Sequence, residues 1–185
     1  MSTDQRGSTM TNKHIGLAEQ NRKGESMKKI LFVCTGNTCR SAMAEALFND
    51  LLDQREERDI LVSSAGVYAF ENDPASSMAI EVLQNEYGID ITSHRARVLD
   101  ADDIRNAWLI LAMTEDHKRM ILEVFPESVD KVYTLKDYAE IEDGRANISD
   151  PYGGDYDVYK ACAYEIETAL INVAEKVFDN GDWLL

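Results

Sequence analysis

The chain has 185 residues and a mass of 20.8 kDa, the size of one ordinary domain. Hydrophobic residues at 44% supply a core and exclude a disordered chain. The net charge of −15 argues against nucleic acid or an anionic membrane surface as the main partner, because both are held by clustered Lys and Arg.

Residues 1–26 are rich in Ser, Thr, Asn, Gln and Gly and lack an apolar period, which predicts a flexible extension. Residues 27–185 then read as one folded domain. Ile30-Leu31-Phe32-Val33 is a continuous apolar run, the pattern of a buried parallel strand. A polar loop, Cys34 to Ser41, leads into a helix whose Met43, Leu47, Phe48 and Leu51 share one face. Ile60-Leu61-Val62 predicts a second strand, ending in Ser63-Ser64-Ala65-Gly66. A helix carrying Met78, Ile80, Val82 and Leu83 follows Pro74 and stops at Gly88. The third strand is Trp108 to Ala112, and Thr114 stands where the N-cap of the next helix belongs. A short strand near Val132-Tyr133-Thr134, a polar loop from Glu140 to Gly154, and a helix from about Tyr156 to Val177 complete the chain. Strands alternating with helices predict an α/β fold with a parallel sheet covered on both faces. In such folds ligands sit beyond the carboxyl ends of the strands.

Three cysteines, Cys34, Cys39 and Cys162, are too few for a disulfide scaffold, and free thiols favour a reducing, cytoplasmic compartment. Only three histidines accompany them, so no metal site is expected. No apolar run approaches the ~20 residues of a membrane span, and no apolar block precedes a signal cleavage site.

The chemistry concentrates in Cys34-Thr35-Gly36-Asn37-Thr38-Cys39-Arg40-Ser41, between the first strand and its helix. Taken singly, a Cys at a strand end is a core residue and an Arg at a helix start meets solvent. Together they fit one tetrahedral anion: the loop's N–H groups and the helix N-terminus surround it, and the Arg40 fork grips two of its oxygens. Gly36 permits a left-handed or crowded backbone, and the same donors favour a thiolate at Cys34. The expected reaction is phosphoryl transfer to sulfur, followed by hydrolysis of the thiophosphate.

This loop, the Ser63-Ser64-Ala65-Gly66 turn, Gly88-Ile89-Asp90, His94-Arg95-Ala96-Arg97 and the Asp150-Pro151 loop resemble the low-molecular-weight protein tyrosine phosphatase family over residues 28–180. The resemblance implies a four-stranded parallel sheet, Cys34 as nucleophile, Arg40 as phosphoryl holder and Asp150 as general acid and base, with no cofactor. Thr35, Gly36, Asn37, Thr38, Cys39 and Ser41 would form the substrate loop, Asn37 and Ser41 orienting it, with Tyr152 as an aromatic wall. Within the family the match is nearest to the bacterial protein arginine phosphatases. Thr38 stands where tyrosine-directed members carry a bulkier aliphatic residue, and the acid loop reads Asp150-Pro151-Tyr152-Gly153-Gly154 rather than Asp-Pro followed by paired tyrosines. A narrower, more polar slot suits a guanidinium phosphate better than a phenol ring. The implied substrates are phosphorylated proteins, and the implied counterpart is a protein arginine kinase. Ala42 departs from the family's usual Pro at the helix start, a change expected to cost stability more than activity.

Several alternatives stay open from the sequence. The enzyme rivals are a tyrosine phosphatase and, more weakly, an arsenate reductase, which would need relay cysteines that residues 66–100 lack. The non-enzymatic rival is an anion-binding regulatory module. Cys39 is either a partner for a reversible disulfide with Cys34 or a packed thiol. Cys162 reads as structural, and His94 and His117 read as surface or core residues rather than catalytic ones.

Overall fold

The computed structural model describes residues 27–179. The extension expected over residues 1–26 lies outside the described residues. Four strands, β1 (Lys28–Cys34), β2 (Ile60–Gly66), β3 (Leu109–Ala112) and β4 (Val132–Thr134), form one parallel sheet in the order β2-β1-β3-β4. The expected parallel sheet is therefore present, with β1 extended to Lys28 and Cys34 as its final residue.

Side chains of β1 alternate between two cores, as the two-residue period of a strand requires. Ile30 and Phe32 enter the larger core, built with α1 (Arg40–Gln54), α2 (Ser77–Val82) and the last helix. Leu31 and Val33 enter a smaller core on the opposite face, with Ile104, Ile110, Ile121 and Val132. In the larger core Phe32 meets Phe48 of α1 edge-on, with ring centroids 5.9 Å apart. Helices α3 (Ala101–Asn106) and α4 (Glu115–Val124) cover the smaller core. A single turn, α5 (Leu135–Tyr138), and the long α6 (Tyr156–Asp179) complete the larger one.

Several boundaries follow from capping. Thr114 Oγ1 accepts the His117 N–H at 3.2 Å and starts α4, as its sequence position predicts. Ser76 caps α2, which continues through a π turn, Leu83–Tyr87, and stops at Gly88 with φ +71°. Helix α3 was not among the expected elements, because six residues with one buried apolar side chain, Ile104, carry no readable period. Its signal was instead the reciprocal pair Asp100 and Asp103, which cap each other's backbone. Among the described residues no helix is long and apolar enough to cross a membrane.

Candidate active site

The order of the sheet decides where a site forms. The chain leaves β1 toward β2 on one side and returns to β3 on the other, so a crevice opens at the carboxyl ends of β1 and β3. Cys34 ends β1 there, 3% exposed, and the loop through Cys39 turns directly into α1.

The loop is held by bonds from its neighbours rather than by its own compactness. Val67 N–H donates to Cys34 O at 3.0 Å, Tyr68 N–H to Thr35 O at 2.9 Å, and Ser76 N–H to Thr38 O at 2.9 Å. Gly66, register partner of Cys34, lets the loop backbone settle against β2. A Cβ there would lie 2.6 Å from Thr35 O and 2.9 Å from Asn37 N.

Asn37 is the hub. It is fully buried and left-handed, with φ 56°. Its Nδ2 donates to Ser41 Oγ at 2.9 Å and to Ser64 Oγ at 2.7 Å, while its Oδ1 accepts the Arg97 N–H at 3.0 Å. Ser64 in turn donates to Glu45 Oε2 of α1. His94 Nε2 lies 2.7 Å from Asn37 O, and because a carbonyl only accepts, that nitrogen carries the proton. With Ser41 Oγ already accepting from Asn37, its own hydrogen is free to point at Cys34 Sγ, 2.9 Å away. The Asn37 N–H also donates to Cys34 Sγ, at 3.3 Å. The sulfur thus meets two donors, at the N-terminal end of a 15-residue helix.

Arg40 is buried, yet its guanidinium crosses to the acid loop. It donates to Asp150 Oδ2 at 2.8 Å and to Ile148 O at 3.4 Å. Asp150, with a side chain 56% exposed, stands at the rim, and its Oδ1 accepts the Tyr152 N–H at 3.2 Å. Beside this pair lies a cavity of about 620 Å³ lined by Thr35, Arg40, Tyr68, His117 and Asp150 among others. The structure thus brings together Cys34, Arg40, Ser41 and Asp150, with the Arg40–Asp150 contact spanning 110 positions. Asn37 and Ser41 brace the loop from behind. Cys39 turns its thiol to Tyr159 Oη at 3.2 Å, and burial, followed by this contact, pushes the Tyr159 hydroxyl up to about 12. Thr38 is half-buried and, like the 83% exposed Tyr152, is not on the lining of that cavity.

Two histidines that the sequence assigns to surface or core reach this loop. His94 fixes the Asn37 carbonyl. His117, buried at the start of α4, places Nε2 2.9 Å from Thr35 Oγ1 and Nδ1 2.8 Å from Thr114 Oγ1. Burial, and then the nearby Arg40 charge, brings His117 down to about 4, so it is neutral near pH 7. Spacing from Cys34 marks neither, because both act through backbone and hydroxyl groups. Cys162 is buried and free, and burial pushes its thiol up to about 12, an inert packed residue.

The family model described as low molecular weight phosphotyrosine protein phosphatase matches residues 29–182. The chain belongs to this family. As a low-molecular-weight phosphatase it is an enzyme, which sets aside the reading as a binding module without turnover. It is 47% identical to a protein-arginine-phosphatase of Geobacillus stearothermophilus over 149 residues, which are 80% of this chain and 95% of that one. Among solved structures, a low-molecular-weight protein tyrosine phosphatase from T. tengcongensis has a TM-score of 0.76 at 46% identity, covering 80% of this chain and 99% of the other. A mutant of the YwlE arginine phosphatase with a phosphorylated active-site serine also has a TM-score of 0.76, at 40% identity over 83% of this chain and 97% of that one. The phosphatase fold implied by the motifs is therefore the fold present.

Proposed function

We propose that the chain is a cysteine-dependent protein arginine phosphatase. The observation that carries this reading is the 47% identity to the protein-arginine-phosphatase of Geobacillus stearothermophilus across nearly that protein's whole length. Thr38 and the Asp150-Pro151-Tyr152-Gly153-Gly154 loop, rather than a bulky aliphatic residue and paired tyrosines, agree with it.

The chemistry proceeds in two balanced steps. The Cys34 thiolate attacks phosphorus while the P–N bond breaks, and Asp150 passes its proton to the departing guanidine nitrogen. Asp150, now a carboxylate, takes a proton from water, whose oxygen attacks the phosphocysteine. The S–P bond breaks, releasing inorganic phosphate and the thiolate. Arg40 grips the phosphoryl oxygens throughout. On substrate entry those oxygens take the guanidinium donor that rests on Asp150, leaving the carboxyl group to turn toward the leaving nitrogen. Ser41 and Asn37 hold the sulfur's negative charge when it returns in the second step. Once the P–N bond has broken, the Asp150 carboxylate also suits the departing guanidinium electrostatically, a contact that a phenol would not make.

The reading further places the enzyme in the cytoplasm, opposite a protein arginine kinase that supplies its substrates. Its test compares kcat/KM on phosphoarginine and phosphotyrosine peptides for the wild type, Cys34→Ser and Thr38→Ile. A phosphoarginine preference that Thr38→Ile reverses is the expected result. A wild-type preference for phosphotyrosine would overturn the substrate assignment, and turnover by Cys34→Ser would overturn the mechanism.

A further inference from the structure

Lys136 is 2% exposed, among the most buried side chains of the molecule, although lysine is almost never buried without a partner. It is set there by α5, a single turn that directly continues β4 and is capped by Thr134, whose Oγ1 accepts the Asp137 N–H at 3.1 Å. The Lys136 ammonium meets two carboxylates from different parts of the chain. Nζ donates to Asp143 Oδ2 at 2.7 Å, in the loop that leads to Asp150. It lies 2.6 Å from Glu165 Oε1 of α6, and among the described residues that oxygen has no other partner.

The second oxygen of Glu165 carries the connection onward. It accepts the N–H of Ser149, the residue before Asp150, at 3.0 Å. The Ser149 carbonyl is taken by Cys162 Sγ at 3.4 Å, and the Ile148 N–H donates to Met113 O at 2.9 Å. The backbone on the N-terminal side of Asp150 is thus fastened to α6 and to the end of β3. Among the described residues, only Arg40 and the Tyr152 N–H orient the Asp150 side chain, and Arg40 is the group the mechanism needs for phosphate.

We infer that Lys136 is a positioning residue for Asp150, holding Glu165 and Asp143 together so that Ser149, and with it the acid, stays aimed at the leaving atom. The inference rests on the proposed role of Asp150 as general acid. A buried ion triad is poor evidence for stability, since apolar residues of like volume often do as well. The fixed distance it sets between the acid loop and α6 is what an apolar replacement would not supply. Burial pulls the Lys136 ammonium down, but hydrogen bonds and charge from Asp143 and Glu165 outweigh it and leave the group raised, so it is charged throughout the neutral range. Without it, two carboxylates would face each other across the seam and separate.

The test uses the full chain and two aryl phosphates, phenyl phosphate, whose leaving group needs a proton, and 2,4-dinitrophenyl phosphate, whose leaving group does not. Lys136→Met is expected to lower kcat/KM for phenyl phosphate at least about tenfold, a part of the ~10²–10⁴-fold that a general acid contributes, and for the dinitrophenyl ester less than about twofold. Glu165→Gln should move both values in the same directions, less far, and Lys136→Arg should restore most of the phenyl phosphate rate. Circular dichroism establishes that each variant is folded, and if Lys136→Met is not, Glu165→Gln carries the test. An equal fall on both esters, or no fall in a folded variant, would overturn the inference. Asp150→Asn separates the two readings. If that variant shows no leaving-group dependence the acid assignment itself fails, whereas dependence there with none in Lys136→Met refutes only the positioning role.

Discussion

Replacing Asn37 by Ala should unfasten the nucleophile loop, and the size of the effect can be worked from its contacts. The side chain makes three hydrogen bonds, to Ser41, Ser64 and the Arg97 N–H, all within the protein. At about 1 kcal/mol each, their loss comes to about 3 kcal/mol. Asn tolerates the left-handed backbone of φ 56° better than Ala does, which adds about 1 kcal/mol. Together these give about 4 kcal/mol, a large share of a typical domain's stability and equivalent to a Tm lower by about 8–16 °C for a domain of this size. Urea unfolding with linear extrapolation reads the stability, and turnover of p-nitrophenyl phosphate reads the site. Turnover should fall as well, since Ser41 loses the donor that turns its hydroxyl toward Cys34. A loss below about 1 kcal/mol with full turnover would show that this hub does not hold the loop.

Gly66→Ala inserts a methyl group 2.6 Å from Thr35 O, where backbone must move, so turnover should drop at least about tenfold while the far-UV spectrum stays that of a folded protein. Unchanged kinetics would refute the close packing of β2 on the loop. His117 is held neutral well below its ordinary range, so between about pH 4 and 6.5 the unfolded chain binds a proton that the folded one refuses. Stability should therefore fall as pH drops through that window, and His117→Gln should flatten the dependence in thermal melts. An unchanged slope would show that His117 is not the group responsible.

The strands and long helices were legible because their apolar residues repeat at readable intervals, Ile30 to Val33 and Met43 to Leu51 above all. Cys34, Arg40 and Ser41 were legible because the chemistry sits within eight consecutive residues. Asp150 was not separable from 33 other acidic residues by pattern, and only the family motif singled it out. The short α3 and α5 were hidden because their stability comes from caps and from packing on the sheet rather than from amphipathic repeats. His94, Glu45 and Lys136 were hidden for another reason. Each acts across the fold on a partner far along the chain, 57 residues away for His94 and 29 for the Lys136–Glu165 pair, and no local spacing records that. Asn37 was legible as a loop residue, but not as its buried centre.

The two layers on the sheet are unequal in depth, and the division falls through the crevice. Cys34, Ile148 and Tyr159 belong to the thick side, together with the anchors of the acid loop. Val67 and Ile121, and through α4 His117 and Met120, belong to the thin one. Breathing motions should begin where the least apolar surface is buried, so they would widen or narrow one wall of the crevice and leave the sulfur and the carboxylate in place. A single fold can in this way keep a rigid reaction centre beside a compliant rim, and lineages can remodel what enters without disturbing what is done to it.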